Sequence, residues 1–315
     1  MITSAIRRNI PRNILREDIF NRISPILFDV SLRDGLQAAD PKDWPTEKKR
    51  QTFDFIRTTY KPYAMEIGSL ASPKILPIMG DTKEIYKHAT RMVFDNNNPY
   101  IHPRPKPYVL VPSLSKLQVA INYKMNHLSF ITSVSNMFQL KNTNMTLVQV
   151  KSQFKQLFEQ LNGEPDPSIY VKKLYISCIN HCPIVGKLDN DEVVNEILYY
   201  QKHYDFDELC LSDTCGSLLA NDFEYIVETI RIFGVPLSKI SLHLHVSDSN
   251  MENLERILRY CFRNGIRRFD VSMMESGGCS VTMNRDKLLA NLSYEQFYTI
   301  LNKHIDAVVE NNLEN

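Results

Sequence analysis

Two histidines separated by one residue, His243 and His245, stand in the apolar segment ISLHLHV. Residues two apart on a β-strand point to the same face of the sheet, so both imidazoles can reach one divalent cation. A carboxylate oxygen from Asp34 would complete a donor set that suits Zn²⁺, Mn²⁺, Fe²⁺ or Mg²⁺. The alternative is a pair of histidines whose ring nitrogens are satisfied by backbone carbonyl groups. We expect the metal site, because Asp34 stands at the end of another apolar segment.

That second segment reads ILFDVSLRDGLQ, and it places Arg33 and Asp34 after an apolar run. A guanidinium beside a metal ligand can stabilise an oxyanion or an enolate. The structural alternative is an ion pair of Arg33 with Asp34 or with Glu66. Adjacent residues on a strand point in different directions, so Arg33 and Asp34 need not pair with each other. This geometry favours the catalytic role for Arg33.

A cysteine, Cys279, directly follows two glycines, Gly277 and Gly278. Adjacent glycines indicate a mobile loop that could carry a thiol over an active site. The alternative is a buried thiol that only packs. Other polar side chains, including Glu66 and Asp213, stand in or at the ends of further apolar segments. Chemically useful groups therefore recur where candidate strands end.

Short apolar segments rich in β-branched residues alternate with amphipathic stretches along the chain. The candidate strands begin at Ile26, Ala64, Tyr108, Leu128, Lys173, Glu208, Ile240 and Arg268. This alternation favours a parallel sheet, and the strand count predicts an α/β fold of the (β/α)8 TIM-barrel type. An open doubly wound sheet is the alternative, but no GxGxxG motif follows any candidate strand. In a barrel the active site lies at the carboxyl ends of the strands, where the polar side chains should meet.

Helical patterns occupy the segments between the strands. Thr46 is a candidate N-cap for the first of these helices, and Gly265 is a candidate C-cap for the last. Residues 96–108 contain four prolines and little periodicity, which predicts a loop. We predict one catalytic barrel domain over residues 26–315, preceded by an N-terminal arm of residues 1–25.

The N-terminal arm has two interpretations. Its arginines are typical of a mitochondrial presequence, which is rich in basic residues. Glu17 and Asp18 interrupt that pattern, and Pro11 would break a long amphipathic helix. We therefore favour an arm that packs on the barrel.

The composition excludes several classes of function. The 37 lysines and arginines balance the 36 aspartates and glutamates, which gives no electrostatic reason to expect nucleic acid. No apolar run approaches the ~18 residues that a membrane span requires. The six cysteines fit neither a zinc CxxC pair nor a disulfide scaffold, which favours a reducing compartment. We expect a cytoplasmic protein without nucleic-acid or membrane partners, with a mitochondrial location as the alternative.

The motifs LRDGLQ, MEIGSLASPKILPIMGD, YISCINHCPIVGKLDNDEV, LSDTCG, HLHVSDSN and ESGGCS follow one another along most of the chain. Their order and spacing resemble the 3-hydroxy-3-methylglutaryl-CoA lyases, a branch of the metal-dependent (DRE-TIM type) lyase and aldolase barrels. The resemblance implies the metal ligands Asp34, His243, His245 and Asn291. It implies catalytic roles for Arg33, Glu66, Asp213 and Cys279.

The segment GGCSVTMNRDKLLANLSYEQF departs from the family pattern. In the family, Pro-Tyr-Ala and a glycine-rich stretch follow the cysteine and lead to the ligand asparagine, and both are missing here. Asn291 fits the ligand position only if a short insertion precedes it. Asn284 is the competing choice. The fourth ligand therefore remains open between these two asparagines.

The implied reaction is a divalent-metal-dependent carbon–carbon cleavage of a 3-hydroxyacyl-CoA thioester. For 3-hydroxy-3-methylglutaryl-CoA the products would be acetoacetate and acetyl-CoA. The implied cofactor is Mg²⁺ or Mn²⁺, with Zn²⁺ as the alternative, and the implied partner is a small-molecule acyl-CoA, bound by a monomer or a homodimer. Arg33 would stabilise the enolate and Cys279 would protonate it, while Glu66 and Asp213 would orient the groups at the metal.

Three alternatives to this reaction remain. The protein could be a related metal-dependent aldolase or an acyl-transferring condensing enzyme. It could also be a catalytically inactive barrel that is retained as a binding protein.

Overall fold

The computed structural model describes residues 11–91, 105–278, 282–283 and 288–314. Its centre is a closed barrel of parallel strands in the order β1-β10-β9-β8-β5-β4-β3-β2. The barrel strands are β1 (Ile26–Asp29), β2 (Ala64–Ser69), β3 (Lys106–Leu110), β4 (His127–Ser133), β5 (Val171–Ser177), β8 (Glu208–Asp213), β9 (Ile240–Leu244) and β10 (Arg268–Val271). An antiparallel hairpin, β6 (His181–Cys182) and β7 (Gly186–Lys187), lies in the connection after β5. The predicted (β/α)8 TIM barrel is confirmed.

Helices surround this barrel. The described helices are α1 (Arg12–Ile23), α2 (Thr46–Thr59), α3 (Thr82–Arg91), α4 (Leu114–Asn122), α5 (Asn136–Thr143), α6 (Leu147–Asn162), α7 (Asn190–His203), α8 (Ala220–Ile232), α9 (Met251–Asn264) and α10 (Tyr294–Glu314). Among them no helix is long and apolar enough to cross a bilayer.

Helix ends follow local chemistry. The side chains of Thr146 and Gln149 form a capping box that starts α6. Gly265 ends α9 in the left-handed conformation at a φ of 79°, as predicted. The prediction for Thr46 is wrong: Pro45 is the N-cap, Thr46 is the first helical residue, and its hydroxyl donates to Asp81 at 2.9 Å instead. The predicted loop 96–108 lies mostly outside the described residues, and β3 begins within its last residues.

Side chains alternate along a barrel strand between the face toward the helices and the face toward the barrel interior. On β5, Leu174 and Ile176 are fully buried and join the main apolar cluster between barrel and helices. Their neighbours Lys173, Tyr175 and Ser177 point to the other face, because residues two apart share a face. Tyr175 and Ser177 line the cavity at the barrel mouth. On β5, polar side chains therefore face the barrel interior, and apolar side chains pack between the barrel and the helices.

The helix of the N-terminal arm packs against the last helix. Ile19 and Ile23 of α1 are buried in the main apolar cluster. The guanidinium of Arg16 binds Asp306 of α10, and Arg12 binds Glu310 at 3.3 Å. The division into an arm of residues 1–25 and a domain of residues 26–315 remains a prediction.

Candidate active site

Arg33 and Asp34 lie in a turn after β1. The strand ends at Asp29, and the amides of Arg33 and Gly35 both donate to the carbonyl of Val30, at 3.2 and 3.1 Å. This turn brings Arg33 Nη1 to 2.6 Å from Asp34 Oδ1. The expectation that the two side chains would diverge is wrong, because it assumed that the strand continues to Leu32.

Asp34, His243 and His245 converge at the mouth of the barrel. One ligand atom from each lies within 4.8 Å of the other two, and all three residues are buried. Each histidine Nε2 stands 3.8 Å from Asp34 Oδ2. Donors bound to one cation at about 2.1 Å stand about 3.0–3.4 Å apart, so shifts of less than ~1 Å would close this set. The predicted grouping of these three residues is present in the structure.

The second ring nitrogen of each histidine is already held. His243 Nδ1 lies 3.2 Å from Asp270 Oδ2, and His245 Nδ1 lies 3.0 Å from the carbonyl oxygen of Leu289. Both partners accept hydrogen bonds, so each ring carries its proton on Nδ1. Both Nε2 lone pairs therefore face Asp34, as metal ligation requires.

Asn291 reaches the same point from the segment before α10. It pairs with His245 in an isolated antiparallel bridge. The backbone on either side is held too, because Val246 N donates to Ala290 O at 2.8 Å and Leu292 N donates to Leu244 O at 2.9 Å. The Asn291 Nδ2 atom donates to Asp34 Oδ2 at 3.0 Å. The competing residue, Asn284, lies outside the described residues.

The residues at this point fit a divalent cation. Asn291 Oδ1 is buried and has no hydrogen-bond partner among the described residues. A half-turn of the amide would exchange its oxygen and nitrogen and bring this unpartnered oxygen to Asp34. Two imidazole nitrogens, a carboxylate and an amide oxygen form a donor set suited to Mg²⁺, Mn²⁺ or Zn²⁺.

Burial and neighbouring charges set the protonation states of Asp34 and His245. Burial opposes ionisation of Asp34, but the adjacent Arg33 and the amide of Gly278 hold the pKa of Asp34 well below its usual range. Burial lowers the pKa of His245 to about 4. Near neutral pH the carboxylate is therefore charged and the His245 imidazole is neutral, which are the forms that coordinate metal ions.

Arg33 is fixed by a second carboxylate. Its Nε donates to Glu66, which is fully buried in β2. Glu66 also accepts from the hydroxyl of Tyr175 at 3.0 Å and from the hydroxyl of Ser129. The Arg33 guanidinium lies 5.0 Å from the centroid of the Tyr175 ring. Arg33 thus keeps a set position beside the ligands, and it lines the cavity.

Asp213 is not brought to this cluster. In the pairing of β8 with β9, Ser212 matches His243 and Asp213 matches Leu244, so Asp213 faces the opposite side of the sheet from His243. Its carboxylate accepts from the amides of Ser217 and Leu218 at 3.2 and 2.9 Å. Asp213 therefore holds the turn after β8, and its predicted role in orienting groups at the metal stays a prediction.

A cavity of about 120 Å³ adjoins the ligands. Arg33, Asp34 and the two histidines form one part of its wall, and apolar side chains that include Leu110, Ile131 and Phe138 form another. Such a cavity can hold a polar reacting centre against an apolar substituent. Cys279, the predicted proton donor, lies outside the described residues.

Sequence reasoning missed two buried charged residues in the barrel interior. Asp270 of β10 contacts His243, and Lys173 of β5 contacts Asp270. Each is a charged residue in a short, mostly apolar strand segment: Asp270 in RFDVSMM and Lys173 at the start of KLYISCI. Charged residues are rarely buried unless they are paired, so this pattern could have indicated an interior ion pair.

No family model matches the chain. Comparison with individual proteins does find relatives. The mitochondrial hydroxymethylglutaryl-CoA lyase of Bos taurus is 26% identical over 255 residues, which cover 80% of this chain and 71% of that protein. A 3-hydroxy-3-isohexenylglutaryl-CoA/hydroxy-methylglutaryl-CoA lyase of Pseudomonas aeruginosa is 25% identical over 253 residues, which cover 80% of this chain and 77% of that protein.

Solved structures agree on the fold. An HMG-CoA lyase from Acinetobacter baumannii, in complex with coenzyme A and 3-methylmalate, matches with a TM-score of 0.72 at 24% identity and covers 90% of this chain and 84% of its own. The Bacillus subtilis HMG-CoA lyase matches with a TM-score of 0.71 at 21% identity, with 89% and 86% covered. The sequence relatives show that the chain is similar to hydroxymethylglutaryl-CoA lyases, and the solved structures show that it shares their TIM-barrel fold.

Proposed function

We propose that this protein is a divalent-metal-dependent carbon–carbon lyase that cleaves a 3-hydroxyacyl-CoA thioester, with 3-hydroxy-3-methylglutaryl-CoA as the first substrate to test. One observation carries the proposal. Asp34, His243 and His245 converge within 4.8 Å next to the Asn291 amide, whose buried Oδ1 has no hydrogen-bond partner among the residues that the structure describes. An orphaned buried oxygen is costly unless a ligand satisfies it.

Asp34, His243, His245 and Asn291 are the residues that would hold the cation. Mg²⁺ or Mn²⁺ is our first choice, and Zn²⁺ is the alternative. A divalent cation bound there would act as a Lewis acid and lower the pKa of a substrate hydroxyl group toward neutral pH.

Arg33 is proposed to stabilise the enolate that remains when the carbon–carbon bond breaks. Its Nε and Nη1 are held by Glu66 and Asp34. The guanidinium also lines the cavity. A donor that is fixed in advance stabilises developing charge without reorganising during the reaction. Glu66 would act here by setting the orientation of Arg33.

Cys279 is proposed to deliver a proton to the enolate carbon. This role rests on the resemblance and on the position of Cys279 after Gly277 and Gly278. The described part of that loop supports a short reach, because the amide of Gly278 donates to Asp34 Oδ2 at 2.9 Å.

The acyl-CoA substrate class is supported by the relatives. The Acinetobacter baumannii lyase was solved with coenzyme A and 3-methylmalate. The Pseudomonas aeruginosa relative is named as a lyase of 3-hydroxy-3-isohexenylglutaryl-CoA and hydroxymethylglutaryl-CoA. The cellular compartment stays a prediction, since the relatives include both proteins named as mitochondrial and bacterial ones.

Product analysis tests this proposal. The chelated protein is reloaded with Mn²⁺ and incubated with a panel of 3-hydroxyacyl-CoA thioesters and 4-hydroxy-2-oxo acids, and products are identified by mass spectrometry. His243→Ala should abolish cleavage, whereas His203→Ala, at an exposed position on α7, should not. Cleavage of a thioester that depends on the metal and on His243 supports the lyase. Cleavage confined to an oxo acid supports an aldolase, and no cleavage by the wild type supports a binding protein.

A further inference from the structure

We propose that Asp270 is a positioning residue for the candidate metal site, and that Lys173 holds Asp270 in place. This inference rests on the proposed function, because it concerns His243 as a metal ligand. Neither residue lines the cavity. Both would act on the reaction only through His243.

Asp270 lies under His243 in the barrel interior. It is 1% exposed, and its Oδ2 stands 3.2 Å from His243 Nδ1. The Tyr175 ring packs edge-on against the other side of the imidazole, with ring centroids 5.6 Å apart and planes at 77°. The imidazole is thus held by Asp270 at Nδ1 and packed against the Tyr175 ring, so that Nε2 points toward Asp34.

Lys173 is the partner that immobilises Asp270. Its side chain has no exposed surface. Its Nζ donates to Asp270 Oδ1 at 2.5 Å, forms an ion pair with Glu208 Oε1 at 2.9 Å, and stands 3.6 Å from the centroid of the Phe28 ring. A lysine enclosed in this way cannot exchange partners with solvent. The Asp270 carboxylate therefore has Oδ1 paired with Lys173, while Oδ2 accepts from His243 and, at 3.7 Å, from the Cys210 thiol.

The two histidines are held by different chemistry. His243 is held by a charged carboxylate on a barrel strand, and His245 is held by the neutral backbone carbonyl of Leu289. Hydrogen bonds with an ionised partner are roughly twice as strong as neutral ones. A carboxylate also makes the opposite ring nitrogen a better donor to a metal ion. The structure assigns to Asp270 the stronger of the two supports.

A merely structural ion pair would predict a different result. If Asp270 and Lys173 only stabilised the barrel, their loss would lower the unfolding temperature and leave the His243 tautomer and the cation affinity unchanged. A matched pair exists for comparison. Lys49 is 5% exposed, and its Nζ lies 2.7 Å from Asp81 Oδ1, outside the cavity lining.

The experiment compares two double variants with the wild type at pH 8. Lys173→Met/Asp270→Asn removes the proposed support without leaving an unpaired lysine, and Lys49→Met/Asp81→Asn is the control. Histidine tautomers are read from ¹⁵N–¹H correlation spectra of the metal-free proteins, and Mn²⁺ affinity is measured by isothermal titration calorimetry. We expect His243 to carry its proton on Nδ1 in the wild type and to lose that preference in the first double variant. Mn²⁺ affinity should fall about 10–100-fold there and stay unchanged in the control.

The outcomes separate this inference from the proposed function. A wild type that binds no Mn²⁺ would overturn the proposed function and the inference together. Wild-type binding with equal affinity in the Lys173→Met/Asp270→Asn variant would overturn the inference alone. If that variant does not fold, the wild-type spectrum still decides: a proton on Nε2 of His243 refutes the role of Asp270.

Discussion

Gly277→Ala should weaken cation binding although it changes no ligand. A Cβ atom at this position would stand 2.3 Å from Asn291 Nδ2, 3.0 Å from Asn291 Cγ and 3.2 Å from Asp34 Oδ2. Ordinary van der Waals contact begins near 3.4 Å. The Asn291 amide must therefore retreat by about 1 Å, because interiors are close-packed and tolerate no such overlap.

The size of the effect follows from the ligand position that the retreat takes away. The Asn291 amide lies against Asp34, with Nδ2 3.0 Å from Oδ2, and a half-turn would put its oxygen in that place at a bound cation. A shift of about 1 Å moves this oxygen out of a bond of about 2.1 Å, and losing a polar partner of a charged group costs about 1.5–3 kcal/mol. At about 1.4 kcal/mol per tenfold change, cation affinity should fall about 10–100-fold if Asn291 is a ligand.

Calorimetric titration with Mn²⁺ measures this loss, with Gly163→Ala as the control. Gly163 has a φ of −81°, and a Cβ there would meet its nearest atoms at an ordinary 3.4 Å. Both variants add the same methyl group, so only Gly277→Ala should lower the affinity. If the folded Gly277→Ala protein binds Mn²⁺ within twofold of the wild type, Asn291 is not a ligand, and Asn284 becomes the residue to test.

Other predictions address chemistry and stability. Arg33→Lys keeps the positive charge but loses the planar guanidinium, so kcat should fall about 10²–10³-fold in steady-state assays. A change in KM alone would show that Arg33 only binds substrate. Cys279→Ser should lower turnover strongly and leave Mn²⁺ affinity unchanged, because serine is a far weaker acid; near-normal turnover would exclude the proton-donor role. Burial raises the pKa of Asp29 to about 7, despite hydrogen bonds from Ser31 and Tyr294. Because the folded-state pKa exceeds the unfolded one, stability is lost as pH rises from about 4 through about 7, by up to about 4 kcal/mol. In urea unfolding, Asp29→Asn should abolish that part of the pH dependence, and identical profiles for variant and wild type would contradict it.

Strand count and the His-x-His spacing were sufficient to predict the barrel and the grouping of Asp34 with His243 and His245. Both predictions depend only on periodicity and on the rule that strand ends share one rim. They tolerate an error of a few residues in strand boundaries. That tolerance explains why the chain topology and the ligand cluster could be predicted from the sequence.

Predictions about single side chains needed finer information. A strand end misplaced by a few residues changed the relation between Arg33 and Asp34 from divergent to paired. The face on which Asp213 lies depends on its register against Leu244, which the sequence does not specify. The contact between Asp270 and His243 joins neighbouring strands, and such pairings depend on the shear of the closed barrel.

The short segment at residues 289–292 has a consequence for the energetics of the site. This segment contributes the Asn291 side chain and the Leu289 carbonyl that orients His245. It is joined to the barrel by a few backbone hydrogen bonds to the end of β9 and by the hydrogen bond from Ser272 N to Leu292 O at 2.9 Å. Docking of the segment and binding of a cation through Asn291 would therefore share one coupling free energy, and the coupling is reciprocal. A cation would tighten the segment by the same factor by which the docked segment tightens the cation. Hydrogen exchange at the amide of Leu292 would then report cation binding without any measurement of catalysis.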